Sequence, residues 1–139
     1  MKILLLLVIF LSLKNSQSQS LYLKNKCIGK IEMDGNVYIN GNKIGRFEDD
    51  GDVYKNGVQV GIIQHDGDVY CKGIEVGEIQ DDGDIYIRGM QVGQVQSNGD
   101  TYHNGIQIGK GSGVKHQWIA GFFFFFFWDL DSGTEGIIR

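Results

Sequence analysis

The chain has 139 residues, a formal net charge of −4, 42% apolar residues, 21 glycines, no proline and two cysteines. That length supports one domain with a modest core. An acidic balance lacks the basic face that phosphate binding needs, so no nucleic-acid partner is expected.

Met1 to about Ser20 reads as a secretory signal peptide, with Lys2 as the charged start and Ile3–Leu13 as the apolar run. Ser16, Ser18 and Ser20 are small residues spaced for cleavage. The run is 11 residues long, apolar except for Ser12, and short of the roughly 20 that a spanning helix needs. Cys27 lies too far downstream for a lipoprotein anchor. The expected location is outside the cytoplasm: periplasm, cell envelope or extracellular space. Loss of Lys2 and Lys14 with the signal makes the net charge −6. In an oxidising compartment Cys27 and Cys71 can pair, or stay as two incidental, partly buried thiols; the sequence leaves both open.

Residues 29–108 are five in-register copies of a 16-residue unit, marked by Gly29, Gly45, Gly61, Gly77, Gly93 and, beginning a sixth, Gly109. Within the copies there are 6 basic and 14 acidic residues. Counted from the leading glycine, position 3 is apolar, positions 6–8 read D-G-D with variations, position 9 is β-branched and position 10 is always Tyr. Position 13 is always Gly and position 16 is Ile or Val. Three glycines in each copy exclude a helix. Asn56–Gly57 and Asn104–Gly105 signal type I′ hairpin turns, because both central residues need φ > 0; Lys72–Gly73 and Arg88–Gly89 are weaker signals that can bend differently. Asp49–Asp50–Gly51 predicts a three-residue loop that sets Phe47 opposite Val53. The two-residue turn at position 12 predicts Val53 opposite Val60. Positions 3, 9, 11, 14 and 16 then share the apolar face, and Tyr at 10 with Gln or Glu at 15 faces the other way. Position 16 and the next position 3 are out of phase, so a bulge or bend is expected at the leading glycine.

Each copy is therefore one short β-hairpin, marginal alone and dependent on its neighbours. Leu21–Ile28 matches positions 9 to 16, and Gly109–Lys110 opens a further copy. Half-repeats at both ends suit a closed sheet, since closure removes exposed edges. The predicted fold is all-β: five hairpin repeats plus terminal half-repeats closing into a roughly five-fold ring or barrel over 21–110. Six-fold closure is left open, a linear β-solenoid is the alternative, and a propeller is excluded because its blades need roughly 40 residues.

The glycine-punctuated 16-residue unit with D-G-D-V-Y, a leader before it and a Phe-rich tail after it, resembles small secreted bacterial proteins described as five-fold β-flowers. The likeness covers about residues 21–128 and implies a fold; no established activity comes with it. A looser similarity to choline-binding cell-wall repeats departs at tryptophan: those repeats are Trp-rich, whereas Trp118 and Trp128 both lie outside the repeats here.

The segment 111–128 begins with Gly111–Ser112–Gly113 and ends in an apolar run holding Trp118, Phe122, Phe123, Phe124, Phe125, Phe126, Phe127 and Trp128. It is too short to cross a bilayer as a helix. Three uses compete: filling or capping one mouth of the ring, which is favoured; dipping into a membrane interface; or binding a partner. Residues 129–139 form a polar tail.

No catalytic constellation stands out, so no enzyme activity and no cofactor are expected. His65, His103 and His116 sit at unrelated repeat positions, without metal-ligand spacing. Asp50, Asp52, Asp66, Asp68, Asp82 and Asp84 are weak candidates for Ca²⁺, with Asp34, Asn36, Asn98 and Asp100 as diluted copies; Asp and Gly are also what a tight turn selects. Tyr22, Tyr38, Tyr54, Tyr70, Tyr86 and Tyr102 form a periodic aromatic row. They are weak candidates for stacking on carbohydrate, with hydrogen bonds from Gln59, Glu75, Gln91 and Gln107; packing between hairpins is the preferred reading, since it explains the row on its own. The expected function is a secreted, non-enzymatic β-repeat module, structural or ligand-binding. The alternatives are an accessory protein held to a membrane or partner by the Phe-rich segment, and a calcium or carbohydrate module.

Overall fold

The computed structural model describes residues 20–129 and 136–137; the expected signal peptide through residue 19 and most of the polar tail lie outside the described residues. Six hairpins follow in chain order. They are β1 (Ser20–Leu23) with β2 (Lys26–Ile31), β3 (Asn36–Ile39) with β4 (Asn42–Phe47), and β5 (Asp52–Lys55) with β6 (Val58–Ile63). Next come β7 (Asp68–Cys71) with β8 (Ile74–Ile79), β9 (Asp84–Ile87) with β10 (Met90–Val95), and β11 (Asp100–His103) with β12 (Ile106–Gly111). All 12 strands pair antiparallel with their chain neighbours, and β1 pairs β12 to close a barrel. The closing register, Leu21↔Gly111, Tyr22↔Lys110 and Leu23↔Gly109, reproduces Phe47↔Val53, Arg46↔Tyr54 and Gly45↔Lys55 elsewhere in the ring. A backbone bond from Lys24 N–H to Ile108 C=O, 3.0 Å, completes the seam.

The ring has six hairpins where the copy number suggests five. The folding unit runs from position 8 of one copy to position 3 of the next, so five copies supply only four whole hairpins. Ser20–Ile28 joins the start of the first copy to make the hairpin β1–β2, and Gly109–Gly111 completes β11–β12. The half-repeats are thus two of the six units, and every edge is paired.

Both turn types recur without exception. At positions 12 and 13 the φ values are 52° and 81° for Asn56–Gly57, 52° and 81° for Lys72–Gly73, and 54° and 76° for Arg88–Gly89. The Lys and Arg copies therefore make the same type I′ turn as the Asn copies, because pairing on both sides fixes the strands and leaves the turn no choice. Lys24–Asn25 does so without any glycine, at φ 50° and 68°. At the other end, Glu48 N–H bonds Asp52 C=O at 2.9 Å and Gly51 N–H bonds Glu48 C=O at 3.0 Å, closing the expected three-residue loop. Phe47 faces Val53 as predicted. Val53 does not face Val60: it pairs with Gly61, and the register slips between Val53 and Tyr54. Val60 is the extra residue of a bulge that recurs in every hairpin, which puts the phase correction at the junction of position 16 and the leading glycine.

Positions 3 and 9 line the interior: Leu21, Ile31, Val37, Phe47, Val53 and Ile63 are all at most 4% exposed, and the remaining copies match them. Position 14 differs from expectation. It lies beyond the end of the packed interior, and Val58, Ile74, Met90 and Ile106 are 64–69% exposed.

The tail fills the barrel. An α-helix, α1 (His116–Ala120), continues into a π-helix over Gly121–Phe126. The next residues form β13 (Trp128–Asp129), which pairs with β14 (Gly136–Ile137). Five consecutive rings of this segment seat on five ring glycines: Phe123 on Gly109, Phe124 on Gly93, Phe125 on Gly77, Phe126 on Gly61 and Phe127 on Gly45. Each step forward in the tail moves one hairpin back around the ring. A Cβ added at Gly45, Gly77 or Gly93 would stand 2.5–2.7 Å from its Phe ring and as close to the backbone carbonyl oxygen of Tyr54, Tyr86 or Tyr102. A π-helix turns less per residue than the roughly 100° of an α-helix, nearer the sixth of a turn between adjacent hairpins. Phe122 occupies the centre, stacked with Phe127 at 5.9 Å and Trp128 at 6.0 Å and edge-on to Phe123 at 5.0 Å. Gly111 stands where other hairpins carry a bulky position 3, and a Cβ there would lie 2.9 Å from Ile119 Cδ1; the missing side chain is the space through which α1 packs.

Gly77→Ala is expected to cost about 1–3 kcal/mol by overpacking, measured by chemical denaturation. Phe125→Leu in the same chain should recover part of that, with a coupling of about 1 kcal/mol; Gly57→Ala, whose Cβ would meet nothing within 4 Å, should show no coupling to Phe125.

Candidate functional site

Interior, outer wall, acidic end and basic end of the barrel each gather a different set of the candidate residues. The acidic D-G-D turns crowd one mouth. The position-6 side chain accepts the position-8 N–H in every copy: Asp50 Oδ1 from Asp52 at 3.0 Å, Asp66 from Asp68 at 3.0 Å, and Asp82 from Asp84 at 3.0 Å. Asp34 with Asn36 (3.1 Å) and Asn98 with Asp100 (2.9 Å) repeat the bond. The carboxylates thus brace their own loops, which is the turn role of Asx residues. Glu48, Asp50 and Asp52 also bring ligand oxygens within 4.8 Å of one another. Asp50 is committed to its turn, and Arg46 pairs with Glu48, so the group is already compensated. Asp68 faces Glu78 across the ladder. Burial, then Asp66 and Glu78, push the Asp68 carboxyl above its ordinary range.

The tyrosines all face the outer wall and are half-buried. Tyr22, Tyr54, Tyr70 and Tyr86 each lie in a shallow groove between their own hairpin and the preceding one, with the leading glycine as floor. Tyr70 shares its groove with Gln59, Val60, Gly61 and Lys72; Tyr54 with Lys43, Gly45 and Arg46; Tyr86 with Glu75, Gly77 and Arg88; and Tyr22 with Lys24, Gln107 and Gly109. Gln59 therefore lies between two tyrosines, opposite Tyr54 in its own hairpin and beside Tyr70 in the next. Cations cover two of the rings, Lys30 over Tyr38 at 5.1 Å and Arg46 over Tyr54 at 5.6 Å. Burial, then Glu75, raise the Tyr70 hydroxyl above its usual value, so it is a hydrogen-bond donor across the physiological range. The grooves combine an aromatic face, amide or carboxylate groups and cations.

The tail residues considered for membrane or partner contact are in the barrel. Trp118, Phe122, Phe123, Phe126, Phe127 and Trp128 are buried, while Phe124 and Phe125 are partly exposed. Trp118 stacks on Phe47 at 5.9 Å, with Lys115 Nζ 4.8 Å from its ring. Lys115 Nζ reaches Asp49 at 2.7 Å and His116 Nε2 meets Ser97 C=O at 3.1 Å, so the segment enters through the acidic mouth. At the far end His103 lies edge-on to Phe124 at 5.9 Å. Lys55 Nζ donates to Phe126 C=O at 3.5 Å, placing a cation at the C-terminal end of the helix; burial lowers its pKa. His65 stands exposed on an acidic turn, so the three histidines are not brought together. Cys27 and Cys71 are both free thiols, Cys27 exposed on β2 and Cys71 half-buried on β7.

The two mouths carry opposite charge, a feature that position-by-position reading missed although the repeat contains it. The five acidic-end loops, from Glu32–Asn36 to Gln96–Asp100, hold 12 carboxylates and no Lys or Arg. The six type I′ ends, from Leu23–Cys27 to His103–Gln107, hold six basic side chains and one acid, Glu75. Reading acids at positions 4–8 against bases at positions 11–15 would have found it.

No protein family, curated protein or solved structure matches the chain.

Asp66→Ala is expected to lose about 1 kcal/mol with its turn bond, whereas Asp66→Asn, which copies Asn98, should be near neutral in thermal melts. Asp68→Asn should raise the melting temperature at pH 7. The raised folded pKa makes ionised Asp68 unfavourable, a cost absent below the unfolded carboxylate range and growing as pH rises through the folded pKa; the gain should vanish at pH 3.

Proposed function

We propose that the protein is an exported, non-enzymatic module of the cell envelope or extracellular space that binds ligands on its outer wall. The observation that carries this reading is the division of labour between glycine's two faces. The inner face of the ring is filled by the chain's own Phe rings, and the outer face of the same glycines floors the tyrosine grooves. Recurring shallow grooves, each with an aromatic ring beside hydrogen-bonding groups, suit an extended ligand with repeating rings, and polysaccharide is the chemical class that fits. Weak single contacts summed around a ring give useful affinity through multivalency.

The wall is polar outside and apolar inside, and the strands are 4 and 6 residues long. Both features are the reverse of a membrane-spanning barrel, which is apolar outside with strands of roughly 9–11 residues. Among the described residues no helix is long and apolar enough to cross a membrane. A second reading, contact with a membrane or partner, is favoured by the partial exposure of Phe124 and Phe125 at one mouth.

Expression of the full chain in a bacterial host, fractionation and mass spectrometry of the N-terminus should place the protein outside the cytoplasm with a start near Ser20. Pull-down on insoluble cell-wall polysaccharide should retain it. Combined Tyr54→Ala, Tyr70→Ala and Tyr86→Ala should reduce retention about tenfold, on the order of 1 kcal/mol or more. Retention in the cytoplasm, or equal retention of parent and variant, sinks the reading.

A further inference from the structure

We infer that the basic mouth of the barrel docks on the surface of an anionic lipid bilayer. Val58, Ile74, Met90 and Ile106 project from four consecutive hairpins at that mouth, each about two-thirds exposed (64–69%). Adjacent hairpins are two strand spacings apart, about 10 Å, so the four form a crescent around the rim. The two remaining hairpins place Lys26 and Asn42 at the same position. Soluble surfaces carry scattered apolar side chains, but a row of four at one repeat position is a patch, and such patches mark contacts.

The charge identifies the occupant. Lys24, Lys72 and Arg88 stand exposed at the turn tips of the same mouth, and Lys26 and Lys43 are exposed beside them. An anionic bilayer offers phosphate at the depth of the tips and acyl chains just below, for the rim to enter. A second copy does not fit as well. Mouth-to-mouth pairing sets two cationic rims against each other, and head-to-tail stacking lays the apolar crescent on carboxylate loops. The acidic mouth keeps the barrel oriented, since its 12 carboxylates are repelled by the same surface. This inference does not depend on the tyrosine grooves; it deepens the membrane reading by moving the contact from the buried Phe run to the rim.

The test uses substitutions that the other copies already carry, so folding is preserved. Asn is native at position 14 in Asn42, which licenses Ile74→Asn, Met90→Asn and Ile106→Asn. Asn is native at position 12 in Asn40, Asn56 and Asn104, where φ is 51–52°, which licenses Lys72→Asn and Arg88→Asn. A chain beginning at Ser20, the first residue of the closed barrel, is floated with vesicles of phosphatidylglycerol and phosphatidylcholine, and with phosphatidylcholine alone. Binding to the anionic vesicles, weakened by salt and absent from the neutral ones, is expected. The triple rim variant should abolish flotation, and each removed charge should weaken it about fivefold. The polysaccharide pull-down serves as the separate readout of the groove reading; Met90→Asn with Ile106→Asn, which lie outside the four grooves described, should weaken flotation and leave the pull-down unchanged. No flotation with anionic vesicles overturns the inference, as does flotation that survives the rim variant. So does concentration-dependent dimerisation, seen by light scattering, that the rim variant dissolves while vesicles stay unbound.

Discussion

The structure depends on one contact made five times: a phenylalanine ring seated on a glycine. A barrel of 12 short strands leaves an interior too wide for its own position 3 and position 9 side chains to fill. Its walls must therefore be packed from within by something else. The leading glycines supply the clearance and the tail supplies the rings, in matching order, one Phe for each of five of the six hairpins. Each half buries its apolar surface on the other. An empty ring would expose a floor of glycine backbone and a cavity of aromatic size, where losing one buried Phe already costs about 3–5 kcal/mol. An isolated Phe run would aggregate. The coupling explains why a hairpin array that is weak in each unit can be cooperative as a whole.

Much of this was written in the sequence, and the part that was not has a definite physical cause. The hairpin, its two turn types, the Phe47–Val53 register and the closure through half-repeats follow from local chemistry at fixed positions, which is what periodic sequence exposes. The count of six hairpins was harder, because the eye parses copies from glycine to glycine while the backbone folds from one acidic loop to the next. Val60 opposite Val53 was wrong because a two-residue turn was assumed to propagate into a regular ladder, and the bulge intervenes after one pair. The seating of Phe123–Phe127 was beyond sequence reasoning. It joins residues up to 82 positions apart, Gly45 and Phe127, and its logic is visible only once the ring is closed.

The candidate sites divide along the same line. Asp50, Asp66 and Asp82 have a repeated function, but it is served within each loop by the bond to the residue two positions on. The tyrosines are different, since their grooves are built from two hairpins and exist only by virtue of assembly. A periodic residue whose partner is its own backbone is scaffolding; one whose surroundings come from a neighbouring copy can be a site. That distinction requires the register, which was legible across the acidic loop, Phe47 to Val53, but not within the hairpin, where the bulge at Val60 intervenes.

Symmetry raises a further problem that the irregular positions resolve. A ring of near-identical hairpins offers a plug several equivalent rotational settings, and a funnelled landscape needs one of them to win. The departures from the repeat select it. Gly111 opens the only position 3 without a side chain, and Ile119 occupies that gap. Phe47 is the only aromatic at position 3, and it stacks on Trp118 while meeting Phe127 edge-on at 5.5 Å. At the other end Lys55 and His103 replace the aliphatic residues of position 11 and meet the Phe126 carbonyl and the Phe124 ring. Rotating the plug by one hairpin would drive Ile119 into a bulky position 3 and strand the lysine without its carbonyl. Invariant positions make the barrel, and variable ones fix how it is filled.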